Sequence, residues 1–186
     1  MRSDFHVFVG HRDTSFAHKV KELLANFYSV SISCSGHEII NTILELQPDL
    51  AVLDFEIPEI DVLNLCEKLS GNFPEIHTVI YVSLENIVIA RKKWRKRALD
   101  YIIGPLQPEE FLEDVSKVVR YILILRERET LIRNKIELRY RLNNTLISLK
   151  QLVHQAQEDK DWNAVQSISN ELRALETMIQ DIDALS

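Results

Sequence analysis

Residues 49–55, Asp-Leu-Ala-Val-Leu-Asp-Phe, form a short apolar run with a carboxylate near its end. Such a run has no polar face to turn to water, so it must be covered on both sides, as in a strand inside a parallel sheet. Segments 5–10, 30–33, 78–82 and 101–103 read as four further strands. Between them, apolar residues recur at helical spacing: Phe16, Val20, Leu23 and Leu24, then Ile39, Ile40, Ile43 and Leu44, then 62–69 and 87–98. Strands alternating with helices predict an α/β fold, a doubly wound five-stranded parallel sheet. Ligands of that architecture gather at the carboxyl ends of the strands. The residues expected there are His11 and Arg12, Asp54, Ser83 and Gly104.

From Glu109 onward the pattern changes. After Pro108 there is neither proline nor glycine, and apolar residues keep helical spacing almost to the end. One helix is expected from 109 to 157, interrupted at most locally near Asn143 and Asn144. At 1.5 Å per residue it would be about 70 Å long. Glu158-Asp-Lys-Asp161 reads as a turn, with Asp161 capping a second helix. There Val165, Ile168, Leu172, Leu175, Ile179 and Ile182 step 3-4-3-4-3, a heptad seam. Leu131, Leu138, Leu142, Leu146, Leu149 and Val153 offer the facing side. A lone hairpin of this size buries too little, so pairing with a second copy into a four-helix bundle is expected. The division is a sheet domain over 1–120 and a helical hairpin dimerisation domain over 121–186.

Composition narrows the function. A net charge of −6 argues against a general nucleic-acid binder, whose footprint is usually basic. The longest apolar runs are far too short to cross a bilayer, and Met1-Arg2-Ser3-Asp4 opens no apolar signal segment. Cys34 and Cys66 lack metal-ligand spacing and read as reduced thiols, a disulfide being the alternative. The expectation is a cytoplasmic protein with no metal or other cofactor.

The segment Asp49-Leu-Ala-Val-Leu-Asp54-Phe-Glu-Ile-Pro58, with Val82-Ser83, Tyr101 and Pro105 at their intervals, resembles the receiver domain of two-component response regulators over residues 5–120. The resemblance implies a flavodoxin-like, CheY-like fold. It makes Asp54 the phosphoacceptor equivalent, Ser83 the Ser/Thr switch and Tyr101 the aromatic switch. It also exposes departures. The family holds Mg²⁺ with two adjacent acids at the end of the first strand, and an ungapped alignment puts His11 and Arg12 there; a one-residue shift gives Gly10 and His11. The family's phosphoryl-neutralising lysine is Gly104. Phosphoryl transfer depends on cations that neutralise the transferring oxygens. The pocket of His11, Arg12, Ser83, Tyr101 and Gly104 is therefore read as degenerate, with Asp54 paired to Arg12.

The tail carries a second resemblance. Leu138-Arg-Tyr140-Arg-Leu-Asn143-Asn144-Thr-Leu146-Ile-Ser-Leu149 resembles the histidine-box helix of sensor kinases, with Tyr140 where the phosphorylated histidine would stand. In that family the helix belongs to a hairpin that dimerises, so the resemblance implies a dimerisation domain lacking its histidine. The dimer seam would comprise Leu138, Leu142, Leu146, Leu149, Val165, Ile168, Leu172, Leu175 and Ile179. His154 reads as a surface residue. A basic run, Arg91, Lys92, Lys93, Trp94, Arg95, Lys96 and Arg97, is a candidate patch for an acidic partner. The function expected is a non-catalytic signalling adaptor, a pseudo-receiver that dimerises and binds a kinase, a response regulator or another assembly protein. The alternatives are an antiterminator-like RNA- or DNA-binding transcription regulator, and a phosphatase or phosphotransfer partner of a response regulator, with Asn144 serving the phosphatase role.

Overall fold

The computed structural model describes residues 5–93 and 100–184, residues 91–93 by backbone alone. Five strands form one parallel sheet: β1 (His6–Gly10), β2 (Ser29–Ser33), β3 (Leu50–Asp54), β4 (His77–Ser83) and β5 (Asp100–Gly104). Their order is β2-β1-β3-β4-β5. The helices between them are α1 (Thr14–Leu24), α2 (Gly36–Leu46), α3 (Val62–Asn72) and α4 (Ile87–Lys93), followed by α5 (Pro108–Glu158) and α6 (Trp162–Ala184). The doubly wound sheet expected from the sequence is the one observed.

All five residues of β3 are buried, as its composition demands. Alternate side chains serve opposite layers. Ala51 and Leu53 join Ile39, Ile43, Leu65, Cys66 and Leu69 on the α2–α3 face. Leu50 and Val52 join Val20, Leu24, Phe111, Val115 and Ile122 on the α1–α5 face. Helix starts follow local chemistry. Asp13 caps α1 by accepting from Phe16 N at 3.0 Å. Asp61 caps α3 by accepting from Leu63 N and Asn64 N. At α5, Pro108 occupies the first turn while the Glu110 carboxylate reaches back to Gln107 N at 2.9 Å, the reciprocal half of a capping box.

Several boundaries differ from the sequence expectation. Helix α3 runs on to Asn72, past the apolar stretch that ends at Leu69, through the exposed Ser70, Gly71 and Asn72. Helix α4 is described to Lys93, and Trp94, Arg95, Lys96 and Arg97 of the basic run lie outside the described residues. Helix α5 passes through Asn143 and Asn144 without interruption.

The chain divides into two compact units, Met1–Ile122 and Leu123–Ser186. In the second unit α5 and α6 form an antiparallel pair, tied by Arg139–Asp183 at 3.3 Å and Lys150–Glu176 at 3.5 Å. Asp161 accepts from Ala164 N at 3.1 Å and so caps α6. Leu142, Leu146, Leu149, Val153, Val165, Ile168, Leu172, Leu175, Ile179 and Ile182 are half-buried, and Ala156 is buried. Leu131 and Leu138 fall outside this seam and stand exposed.

Candidate functional site

The carboxyl ends of β1, β3 and β4 bring Asp54 together with His11, Arg12 and Ser83. Asp54 is 2% exposed. Its Oδ1 accepts from Glu56 N at 2.9 Å and its Oδ2 from Arg12 N at 3.3 Å. The Arg12 guanidinium stands beside it, Nε 3.5 Å from Oδ2. The expected Asp54–Arg12 pairing is therefore present, but it is shared: Nη1 of Arg12 is ion-paired with Glu56. Glu56 in turn accepts from Ser83 Oγ at 2.8 Å and Asn86 Nδ2 at 2.5 Å. Ser83 is half-buried rather than buried. Burial pushes the Asp54 carboxyl above the usual carboxylate range, a shift that His11 and Arg12 oppose.

His11 is buried, packed 4.5 Å from the ring of Phe16 and 5.1 Å from that of Tyr81. Its Nδ1 accepts from Asp13 N at 3.0 Å, which leaves the neutral ring's proton on Nε2. That atom lies 3.7 Å from Asp54 Oδ2, beyond hydrogen-bond reach, and has no hydrogen-bond partner among the described residues. Burial holds the imidazole below its ordinary value, against the pull of Asp54.

The place of the family's lysine is filled by another side chain. A Cβ on Gly104 would meet the hydroxyl, Cζ and Cε2 of Tyr81 at 2.1, 2.3 and 2.8 Å. The hydroxyl accepts from Leu106 N at 3.2 Å, and the ring packs 5.7 Å from Phe111. Burial raises the phenol above its ordinary value. Tyr101 is half-buried against the α2–α3 layer.

Residues 12–116 match the family model described as the response regulator receiver domain. The chain belongs to that family. This receiver is 27% identical over 95 residues to a protein from Cyanidium caldarium named probable transcriptional regulator ycf27, covering 51% of the chain and 38% of the relative. It is 25% identical over 122 residues to the transcriptional regulatory protein ZraR of Salmonella typhimurium, covering 65% and 28%. The receiver chain thus spans well under half the length of these curated relatives. Among solved structures, a CheY-like receiver domain from Methanospirillum hungatei shares the fold with a TM-score of 0.55 at 24% identity, over 64% of this chain and 97% of that one. NtrX from Brucella abortus does so with a TM-score of 0.62 at 19% identity, over 69% and 30%.

Receivers hold magnesium, an ion that demands oxygen donors in near-ideal octahedral geometry. The donors here do not fit it. A guanidinium and a buried imidazole N–H stand beside Asp54 where the acids are expected, and among the described residues no group of three His, Cys, Asp or Glu could hold a metal. Glu56, Asn86 and Tyr81 were not singled out by sequence. Two signals were available: Glu56 follows the buried strand by two residues, and Gly104 stands on the strand beside an aromatic-bearing neighbour.

The remaining candidates lie elsewhere. Tyr140, Asn143 and Asn144 are exposed on α5 in the second unit. His154 is exposed there too, 3.5 Å from Glu158. Cys34 and Cys66 are both free, and burial pushes the Cys66 thiol up to about 12. No helix of the described residues is long and apolar enough to cross a membrane.

Proposed function

We propose that this receiver is a phosphorylation-independent signalling adaptor, which dimerises through its helical hairpin and acts by binding a kinase, a response regulator or another assembly protein. The observation that carries this reading is the surroundings of Asp54. Phosphoryl transfer needs cations on the transferring oxygens. Arg12 is the one cation beside Asp54 among the described residues, and it is already engaged by Glu56. The Tyr81 ring closes off the position of the lysine. The hairpin supports dimerisation: its seam is only half-buried, and Ile147, Leu152 and Met178 are more than half exposed. A second copy would bury that surface.

Intact-mass spectrometry after incubation with Mg²⁺ and a small phosphodonor tests the reading, with Asp54→Asn as control. The expected result is no phosphoryl adduct. An adduct that disappears in Asp54→Asn would overturn it.

A second reading, a nucleic-acid-binding transcription regulator, draws on the names of the relatives, which are transcriptional regulators. The matched region is the receiver, not the rest of those proteins. Salt-sensitive binding of RNA or DNA by the whole chain, lost on replacing Arg91, Lys92 and Lys93 by serine, would favour it.

A further inference from the structure

We propose that Glu56 is an internal anionic ligand that clamps the β4–α4 connection, so that the setting of α4 is fixed by a carboxylate the chain carries itself. The inference rests on the phosphorylation-independent reading above and supplies its physical means.

The Glu56 backbone is anchored first, its amide donating to Asp54 Oδ1 at 2.9 Å. From there the side chain reaches across the sheet. Oε1 receives the Ser83 hydroxyl at 2.8 Å and the Asn86 amide at 2.5 Å, while Oε2 faces the Arg12 guanidinium. The Asn86 amide also donates to Ser83 Oγ at 3.2 Å, closing a ring of three polar side chains. One carboxylate thus holds Arg12, two residues past β1, the last residue of β4 and the residue just before α4. Asn86 transmits the hold: its backbone N–H donates to Ser83 O at 3.0 Å, and its carbonyl accepts from Ala90 N at 2.9 Å.

This differs from an ordinary surface ion pair, which is worth little. The Glu56 side chain is 25% exposed, and three donors, from the end of β4 and from the loops after β1 and before α4, converge on it. Hydrogen bonds to an ionised acceptor are about twice as strong as neutral ones. Removing the carboxylate leaves Ser83 and Asn86 with only each other and leaves Arg12 facing the buried Asp54 alone. The segment released presents Leu84, Val88 and Ile89 to solvent, at 68%, 57% and 48% exposure. Ile87 and Ala90 of the same segment are buried in the α2–α3 core, and the clamp adds to that packing in fixing how the exposed side chains are presented.

Amide hydrogen exchange on the full chain tests the clamp in Glu56→Ala and in Glu56→Gln. The second keeps the shape and an oxygen for Ser83 but lacks the charge. Asp61→Ala, which removes the α3 cap away from the site, reports general destabilisation. The expected result in both Glu56 variants is exchange about tenfold faster in residues 84–90, with β1 and β3 unchanged. Should Glu56→Ala fail to fold, Glu56→Gln decides. Unchanged exchange in 84–90, or an increase spread over the sheet as in Asp61→Ala, would overturn the clamp. A phosphoryl adduct on Asp54 would instead sink the reading it rests on, so the two failures are distinguishable.

Discussion

The hydroxyl of Tyr81 occupies the space that any side chain on Gly104 would enter, 2.1 Å from the position of a Cβ. The two residues sit on adjacent strands, Tyr81 opposite Ile102 and Gly104 opposite Ser83. A lysine at 104 and a tyrosine at 81 exclude one another in this packing. The departure from the receiver pattern is therefore a filled position, held by the hydrogen bond from Leu106 N and by the aromatic contacts with His11, Phe16 and Phe111.

Gly104→Ala should accordingly destabilise the protein by about 1–3 kcal/mol, the usual cost of forcing an added methyl into a packed site. In a Tyr81→Leu background, which loses stability of its own by emptying the ring's place, the added cost should fall below about 0.5 kcal/mol. Urea unfolding of the four members of the cycle measures the coupling. Additive losses would show that the ring is not what excludes the methyl.

The buried His11 makes stability depend on pH. Its folded value lies below the ordinary 6.5, with desolvation the largest cause and Asp54 and Asp13 pulling the other way. As pH falls through 6.5 the unfolded chain takes up a proton that the folded imidazole refuses, so stability drops until the folded ring is itself protonated. His6, also lowered by burial, acts in the same direction. Asp54, raised by burial, acts oppositely: the folded state takes its proton first, so stability recovers as pH falls through its folded value. His11→Asn, whose side-chain oxygen can still accept from Asp13 N, should flatten the fall below pH 6.5. Denaturant midpoints across that range give the slope, and equal slopes in both proteins would refute the assignment.

The two thiols should separate cleanly. Cys66 is buried with its thiol pushed up to about 12, and Cys34 is half-buried. Reactivity follows the thiolate and its exposure. A thiol reagent should modify Cys34 in the native protein and reach Cys66 only on unfolding. Rapid native labelling of Cys66, located by peptide mass, would contradict the packing around α3.

Dimerisation through the hairpin should be visible in sedimentation as a concentration-dependent shift to twice the monomer mass. Leu149→Glu, which sets a charge in the half-buried seam, should abolish the shift while the sheet unit stays folded. A wild-type protein that remains monomeric at high concentration would sink this part of the functional reading.

What was legible in the sequence was whatever depends on neighbours along the chain. The apolar run of 50–53 announced a strand covered on both faces, and Leu50, Ala51, Val52 and Leu53 are all buried. The 3-4-3 stepping of Val165, Ile168 and Leu172 announced a seam, and Asp161 its cap. Helix and strand periods are local, so they can be read one residue at a time. The convergence of His11, Arg12, Asp54 and Ser83 was legible too, because the rule that sites gather at the carboxyl ends of parallel strands needs only element order.

What the tertiary structure alone decided was how those groups are satisfied. Arg12 divides between Asp54 and Glu56, Ser83 and Asn86 turn to Glu56, and Tyr81 fills the space at Gly104. These choices join residues 23 or more positions apart, and strand register together with side-chain reach selects the partner. A buried carboxylate takes whichever donors the packed strands bring within about 3 Å, and nothing local to its own stretch of chain records which those are.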